Sequence, residues 1–155
     1  MTVEYMGNKA LLEREMTAFL APSHVSPLAV LPTLDWAAEM ASEERTVVSG
    51  FSSRLEKEVF AVLTRGTSPI VLVTVRPRYT HMPSNFKTLL DSGRLLIISL
   101  GLGVRLNRKN SPKRNEYVAN LASEIVFPSI SKGSSLFPLY ERAVSTGKPV
   151  RLLSE

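Results

Sequence analysis

Short apolar runs recur along the chain and predict a β-sheet. Six of them are expected to form strands, at residues 3–6, 46–49, 70–75, 95–100, 124–127 and 150–153. Two of these runs, IVLVTV at 70–75 and LLIISL at 95–100, are apolar at nearly every position instead of alternating with polar residues. This pattern is typical of strands that are covered on both faces, as in a parallel sheet.

Between the apolar runs, hydrophobic residues recur with the period of an α-helix. The clearest stripe lies at 136–144, and others predict helices at 34–41, 55–63, 86–90 and 117–121. A further stripe, which also predicts a helix, consists of Leu12, Met16, Phe19 and Leu20. Three glycines between a helix and a strand are expected to end helices: Gly66, Gly93 and Gly147.

The alternation of strands and helices indicates the fold class. It predicts an α/β protein with a three-layer fold, in which a mainly parallel sheet of about six strands carries helices on both faces. Residues 1–155 are expected to form a single domain, and 155 residues suffice for one sizeable core.

The composition narrows the class of protein. The chain has no cysteine, which excludes disulfides and thiolate metal sites and favours a cytoplasmic protein. The two histidines have no acidic partner at metal-ligand spacing, so neither a metal nor a cofactor is expected. No signal peptide is recognised, and no apolar run approaches the roughly 20 residues that cross a bilayer, so no membrane partner is expected. The net charge of +5 favours anionic partners.

Glycines and cations concentrate in the loops that follow the predicted strands. Ligands of an open parallel sheet bind outside the carboxyl ends of its strands, so these loops are the expected site. The candidate phosphate- and ligand-binding residues are Gly7, Asn8, Gly50, Ser52, Ser53, Arg54, Arg76, Arg78, Tyr79, Lys113, Arg114, Gly133, Ser134 and Ser135. The backbone N–H groups of residues 50–53 and 133–135 are expected to cradle a phosphate, and Tyr79 to stack a base.

Two predicted helices at this edge have cations in their first turns, where cations are not expected. Ser53 and Glu56 form the pattern of a capping box, which needs no ligand, but Arg54 would then lie at the positive end of the helix dipole. Lys113 and Arg114 occupy the first turn of a helix that starts at Ser111-Pro112, where acidic residues are preferred. A bound phosphate or polynucleotide explains these cations, and solvated side chains are the alternative.

Four segments, in order along the chain, carry a family resemblance. VVSGFSSRLEKEVF is similar to S-G-x-A-x-G-I-D-x-x-A-H, and RYTHMPSNFKTLLDSGRLLIISL to Y-P-x-x-N-x-x-L…G-x-L-L-S-E. SPKRNEYVANLASEIVF resembles F-P-x-R-N-R-x-I-A-x-L-S, and SKGSSLFPLYERAVSTGKPVRLL resembles S-G-S-L-x-T-A-x-x-A-x-x-x-G-R-x-V. These are the segments of the DNA-processing protein A (DprA/Smf) family. The chain departs from them at Ser53, Arg54, Glu56, Phe60 and Glu116.

The resemblance implies a Rossmann-like fold, which the family shares with the Lonely-guy-type enzymes. It adds Asn115 to the candidate site, because Arg114 and Asn115 match the first two positions of R-N-R. Members of the family bind single-stranded DNA, assist loading of the RecA recombinase and self-associate. The resemblance therefore implies single-stranded DNA or a nucleotide as ligand, a recombinase partner and a homodimer or higher homo-oligomer, in a short branch of the family.

Three functions stay open at this point. The favoured one is a non-catalytic module that binds single-stranded DNA or a nucleotide through its phosphates. The second is a Lonely-guy-type nucleoside-monophosphate phosphoribohydrolase, for which Glu56 is the one carboxylate at the expected edge; the P-G-G-x-G-T-x-x-E segment of those enzymes is absent from the chain. The third is a regulatory or scaffold protein that keeps the fold without using the pocket.

Overall fold

A computed structural model describes residues 2–154 of the chain. The strands are β1 (Glu4–Gly7), β2 (Met16–Phe19), β3 (Thr46–Ser49), β4 (Ile70–Thr74), β5 (Leu95–Ser99), β6 (Glu124–Phe127) and β7 (Val150–Leu152). The helices are α1 (Val30–Ser42), α2 (Arg54–Thr64), α3 (Ser84–Asp91), α4 (Ser111–Leu121) and α5 (Phe137–Ser145). Two short 3-10 helices, Lys9–Glu13 and Pro27–Ala29, lie before β2 and α1.

The seven strands form one mostly parallel sheet in the order β1-β5-β4-β3-β2-β6-β7. Strands β2 to β7 pair in parallel, and β1 pairs with β5 in the antiparallel direction. The chain builds the sheet outward from β2 to β5 and then returns to place β6 on the other side of β2. The switch in strand order therefore lies between β2 and β6, where an open sheet leaves a crevice at the carboxyl ends of its strands.

Helices cover both faces of the sheet, as the sequence predicts. One hydrophobic cluster contains side chains of α1, α2 and α3, and the other contains side chains of α4 and α5. Successive residues of a strand alternate between them, so Ile97 belongs to the first and Ile98 to the second. This alternation explains why Ile70–Val73 and Leu95–Ile98 are apolar at every position, and it confirms the three-layer α/β architecture.

The segment around Met16 differs from its prediction. Met16–Phe19 forms the fully buried central strand β2 and not part of a helix, so the sheet has seven strands instead of about six. The four apolar residues fit a helical spacing equally well, because a short apolar run has no clear period. Burial between β3 and β6 decides the outcome.

The direction of β1 corrects a second prediction. Because β1 is antiparallel, Gly7 and Asn8 lie at the amino ends of the other strands, opposite the predicted site. The N–H of Asn8 donates to the carbonyl oxygen of Leu95 at 3.0 Å, and its side-chain amide donates to the carbonyl oxygen of Gly93 at 2.9 Å. Asn8 is thus part of the turn that enters β5, and the prediction that it lies at the carboxyl edge is wrong.

Two of the three predicted helix-ending glycines adopt the expected conformation. Gly93 and Gly147 have φ angles of +75° and +81°. Gly66 has no such angle and instead lies against Ala41, where a Cβ would be crowded. Within residues 2–154, no helix is both long enough and apolar enough to cross a membrane.

Candidate functional site

The turn after β3 begins α2 with a reciprocal cap. The Ser53 hydroxyl accepts a hydrogen bond from the N–H of Glu56 at 3.4 Å, and Glu56 Oε1 accepts one from the N–H of Ser53 at 3.1 Å. The predicted capping box is confirmed. The start of this helix is therefore satisfied by the chain's own side chains.

The buried carboxylate of Glu56 joins two loops of the carboxyl edge. Its Oε1 also accepts from the N–H of Ser52 at 2.9 Å, and its Oε2 accepts from the N–H of Ala21, beyond β2, at 3.0 Å. The prediction that the N–H groups of this turn are free for an anion is wrong for Ser52 and Ser53, because Glu56 already accepts their hydrogen bonds. The carboxylate occupies the position that a bound anion would take.

Arg114 is the buried cation of this edge, with 5% of its surface exposed. Its guanidinium donates to Ser52 Oγ at 3.0 Å and to Asn115 Oδ1 at 3.0 and 3.2 Å. It packs directly on Gly50, where a Cβ would overlap the guanidinium and displace it. Burial lowers the pKa of Arg114 from its usual value, and the negative charge of Glu56 offsets part of this change. The guanidinium still carries its charge at neutral pH.

The start of α4 lies one residue from its predicted position. Ser111 is the first helical residue, and Asn110 stands at the cap without a side-chain bond to the helix. Asn110 instead holds the preceding loop: its Oδ1 accepts from the N–H of Asn107 at 2.8 Å, and its amide donates to the carbonyl oxygen of Arg105 at 2.9 Å. The first turn of α4 contains no acidic residue, as the sequence predicts.

A cavity of about 530 Å³ opens on one side of Arg114, between the loops that follow β3, β4 and β5. Four aromatic rings line it in a chain of edge-to-face contacts with centroid separations of 5.0, 5.8 and 6.0 Å: Phe51, Phe60, Phe86 and Tyr79. The Arg76 guanidinium lies 3.9 Å from the centroid of the Tyr79 ring. The cavity thus combines aromatic surface with cations, and its size suits a small ligand.

The charges around this cavity are all positive. Lys57, Arg76 and Arg114 line it, and no carboxylate is found among its described lining residues. The side chain of Arg76 forms neither a hydrogen bond nor an ion pair within the part of the chain that the structure describes, and its Nε is buried. A cavity of this kind favours an anion that also has an aromatic surface.

A crevice of about 230 Å³ lies on the other side of Arg114, at the switch in strand order. Residues 21–23 after β2 and Ser135 after β6 contribute to it, together with Asn115. Its hydroxyl groups belong to Ser23, Ser52, Ser53, Ser111 and Ser135. Ser52, Leu106 and Arg114 line both spaces, so the arginine lies in the wall between them.

The remaining predicted residues lie outside these two spaces. Arg54, Arg78 and Lys113 are exposed and line neither the cavity nor the crevice. Gly133 is exposed with open space around the position of a Cβ, and the Ser134 hydroxyl accepts a hydrogen bond from the N–H two residues later at 3.1 Å. The structure therefore brings Gly50, Ser52, Ser53, Arg76, Tyr79, Arg114, Asn115 and Ser135 around the two spaces.

Several lining residues are absent from the candidates that the sequence provides. Ala21 and Ser23 are absent because the strand before them was predicted as a helix. Lys57 and Phe60 lie on α2, and Phe86 on α3, away from the loops in which a site was expected. The sequence contains one signal for this position: Phe60 falls outside the apolar stripe of α2, and its ring lies at the margin of the core, where it lines the cavity.

Within residues 2–154, no group of three or more His, Asp or Glu side chains is placed to hold a metal ion. Glu56 is the carboxylate whose negative charge acts on the Arg114 guanidinium, and its oxygens are already engaged by backbone N–H groups. The larger cavity therefore offers cations and aromatic rings, whereas the crevice offers hydroxyl groups beside the Glu56 carboxylate and Arg114.

Comparison with known proteins relates the chain to solved structures. No protein-family model matches it, and no curated protein matches its sequence. DNA processing protein A from Streptococcus pneumoniae matches with a TM-score of 0.75 and 20% identity, over 96% of this chain and 53% of that one. The Helicobacter pylori protein, whose structure concerns single-stranded DNA binding, matches with a TM-score of 0.73 and 17% identity, over 96% and 69%.

The Moco carrier protein from Chlamydomonas reinhardtii matches with a TM-score of 0.60 and 15% identity, over 92% of this chain and 78% of that one. The chain spans about half the length of the Streptococcus pneumoniae protein. At these identities the likeness concerns the fold. The chain therefore has a DprA-like, Rossmann-type fold.

Proposed function

We propose that this protein binds single-stranded DNA or a nucleotide through its phosphates, at the carboxyl edge of the sheet around Arg114. The observation that carries the proposal is the position of this buried guanidinium in the wall between two open spaces. The side chains beside it, Ser52 and Asn115, are of types that contact phosphate and sugar oxygens. A phosphate there would supply the negative charge that the first turn of α4 lacks.

The cations around this position support the proposal. Arg105, Arg108 and Lys109 are exposed in the segment that leads into α4, and Lys113 is exposed in its first turn. None of the four forms an ion pair within the described residues. Unpaired cations along one stretch of chain provide a track for a phosphate backbone. The fold comparison adds that one protein of this fold, from Helicobacter pylori, binds single-stranded DNA.

The geometry favours binding over the phosphoribohydrolase alternative. Both carboxylate oxygens of Glu56 accept hydrogen bonds from backbone N–H groups, so this residue is held in a structural role. It lines the crevice but lies outside the lining of the larger cavity, where the aromatic rings are. A general base must reach the proton that it abstracts. Release of the base from AMP by the wild-type protein would contradict the binding model.

The test is the affinity for labelled oligothymidylate, measured by fluorescence anisotropy over a salt series from about 50 to 200 mM. We expect the affinity to fall steeply with salt. Arg114→Met should reduce it about 10- to 100-fold, as expected for loss of a charged hydrogen bond. It should also reduce the slope of log affinity against log salt by about 0.7 for each lost phosphate contact.

The matched control is Arg65→Met, which removes the same charge from an exposed position at the opposite edge of the sheet. Arg114→Lys keeps the charge and should retain most of the salt slope. Circular dichroism establishes that each variant is folded before binding is measured. An affinity that hardly changes with salt, or equal effects of the Arg114 and Arg65 substitutions, would refute the phosphate-contact model.

A further inference from the structure

We infer that the aromatic cavity beside Arg114 is a pocket for one nucleobase of the bound strand or nucleotide. This inference rests on the proposed function, and it adds a base-recognising site to the phosphate contacts. The cavity lies between α2 and α3, on the side of Arg114 away from the switch in strand order. The phosphate of the same nucleotide would lie at Arg114 and in the serine-lined crevice.

The walls of the cavity have the chemistry that a base requires. The rings of Phe51, Phe60, Phe86 and Tyr79 form one continuous aromatic surface around an open space. Phenylalanine rings that serve only to fill a core have their faces and edges covered by other side chains, whereas Phe60 and Phe86 are half-buried and line the cavity. Nucleobases bind to such surfaces by stacking, irrespective of sequence.

The guanidinium of Arg76 is suited to the same ligand. It lies over the Tyr79 ring and makes no hydrogen bond to any residue from 2 to 154. Arginines without a hydrogen-bond partner are common on protein surfaces, but Arg76 lines a cavity whose other charged groups are also cations. A base has ring nitrogens and carbonyl oxygens that accept hydrogen bonds and a face that stacks on a guanidinium plane. A base can therefore accept a hydrogen bond from the Arg76 guanidinium and also stack on the Arg76–Tyr79 pair.

The cavity and the crevice adjoin each other. Ser52, Leu106 and Arg114 line both of them, so a ligand that crosses this wall touches both. The cavity is rich in aromatic rings, whereas the crevice is rich in hydroxyl groups. A nucleotide likewise has an aromatic part, its base, and a polar part, its sugar and phosphate. The exposed side chains of Val104 and Leu106 stand at the rim of the cavity, where a base would cover them.

The experiment compares oligothymidylate with an abasic strand that has the same number of phosphates. Phosphate contacts alone predict equal affinities, whereas a base pocket predicts that the strand with bases binds roughly 5- to 140-fold more tightly, the range for stacking of one base. Tyr79→Ala should reduce this difference, because it should lower the affinity for oligothymidylate more than the affinity for the abasic strand. The matched control is Tyr5→Ala, another half-buried tyrosine, which packs on the opposite face of the sheet from Tyr79.

A second variant fills the pocket without removing any of its contacts. Ala61 is exposed on α2 and lines the cavity, so Ala61→Phe projects a ring into it. It should lower the affinity for oligothymidylate to that for the abasic strand. If both strands bind equally tightly to the wild-type protein, the base pocket is wrong and the proposed function stands. A preference for bases that neither variant reduces places base contacts elsewhere and also overturns the inference. Binding of neither strand overturns the proposed function itself.

Discussion

Substitution of Glu56 by glutamine removes one acceptor oxygen from the junction of two loops. In the wild-type protein, Oε1 accepts from the N–H groups of Ser52 and Ser53, and Oε2 accepts from that of Ala21. A glutamine has one carbonyl oxygen and one NH2 group. If its oxygen still accepts the hydrogen bonds of the two serine N–H groups, its NH2 group faces the N–H of Ala21. Two hydrogen-bond donors then face each other in the protein interior.

The magnitude follows from these contacts. A buried N–H without a partner costs about 1–3 kcal/mol, and each of the two remaining bonds changes from a charged to a neutral acceptor, a loss of about 1 kcal/mol. The charge of Arg114 also loses its neighbouring carboxylate. We expect Glu56→Gln to lower the free energy of unfolding by about 3–5 kcal/mol, a large part of the roughly 5–15 kcal/mol of a typical domain.

The assay is equilibrium unfolding in urea, followed by circular dichroism. With a slope of about 2 kcal/mol per molar urea, the unfolding midpoint should fall by roughly 1.5–2.5 M. The matched control is Glu58→Gln on the same helix, where the side chain is exposed, and the expected change is within about 0.5 kcal/mol. A midpoint for Glu56→Gln that equals the control's would refute the reasoning, because it would mean that the loop N–H groups find other acceptors at no cost.

Three further substitutions test other parts of the structure. Gly50→Ala should displace the Arg114 guanidinium, lower the free energy of unfolding by about 1–3 kcal/mol and weaken the binding of oligothymidylate. Gly133→Ala is the control: its Cβ would lie in open space, so neither urea unfolding nor oligothymidylate binding should change. Burial, then a hydrogen bond with a neighbouring tyrosine, raises the pKa of Tyr117 to about 12 from its usual 10.0. Because the folded state holds this proton more tightly, stability should decline as the pH rises from 10 to 12, and Tyr117→Phe should flatten that decline in a pH series of urea midpoints. Lys148 Nζ donates to two carbonyl oxygens at the C-terminal end of α4, at 2.7 and 2.8 Å. Lys148→Met should therefore lower the melting temperature. An unchanged melting temperature would show that water replaces the lysine as donor.

The sequence predicts the site at the level of the sheet edge, and the local features of that edge are confirmed. Ser53 and Glu56 cap α2 as their three-residue spacing requires, because both partners of a capping box lie within one helical turn. The cations of the first turn of α4 are likewise visible in the sequence, since the position of a residue in a helix follows from nearby signals. What the spacing does not reveal is that Glu56 also binds Ala21, which is 35 residues away.

The aromatic cavity also shows the difference between local sequence signals and long-range contacts. Phe51 follows β3, Phe60 is on α2, Tyr79 follows β4 and Phe86 is on α3, so each ring alone has an ordinary explanation. Their contact depends on how two helices pack beside each other on one face of the sheet. No periodicity within a single element encodes that arrangement.

Elements whose signals are local follow from the amino-acid sequence alone: the buried apolar strands β4 and β5, the amphipathic helices, the capping box of α2 and the helix ends at Gly93 and Gly147. Tertiary packing was needed to establish that Met16–Phe19 is a central strand and that β1 runs antiparallel, with Asn8 at the opposite edge. A short apolar segment can satisfy either a helix or a strand, and a strand can pair in either direction. Pairing with β3 and β6 buries Met16–Phe19 on both faces and so selects a strand there, and pairing with β5 fixes the direction of β1.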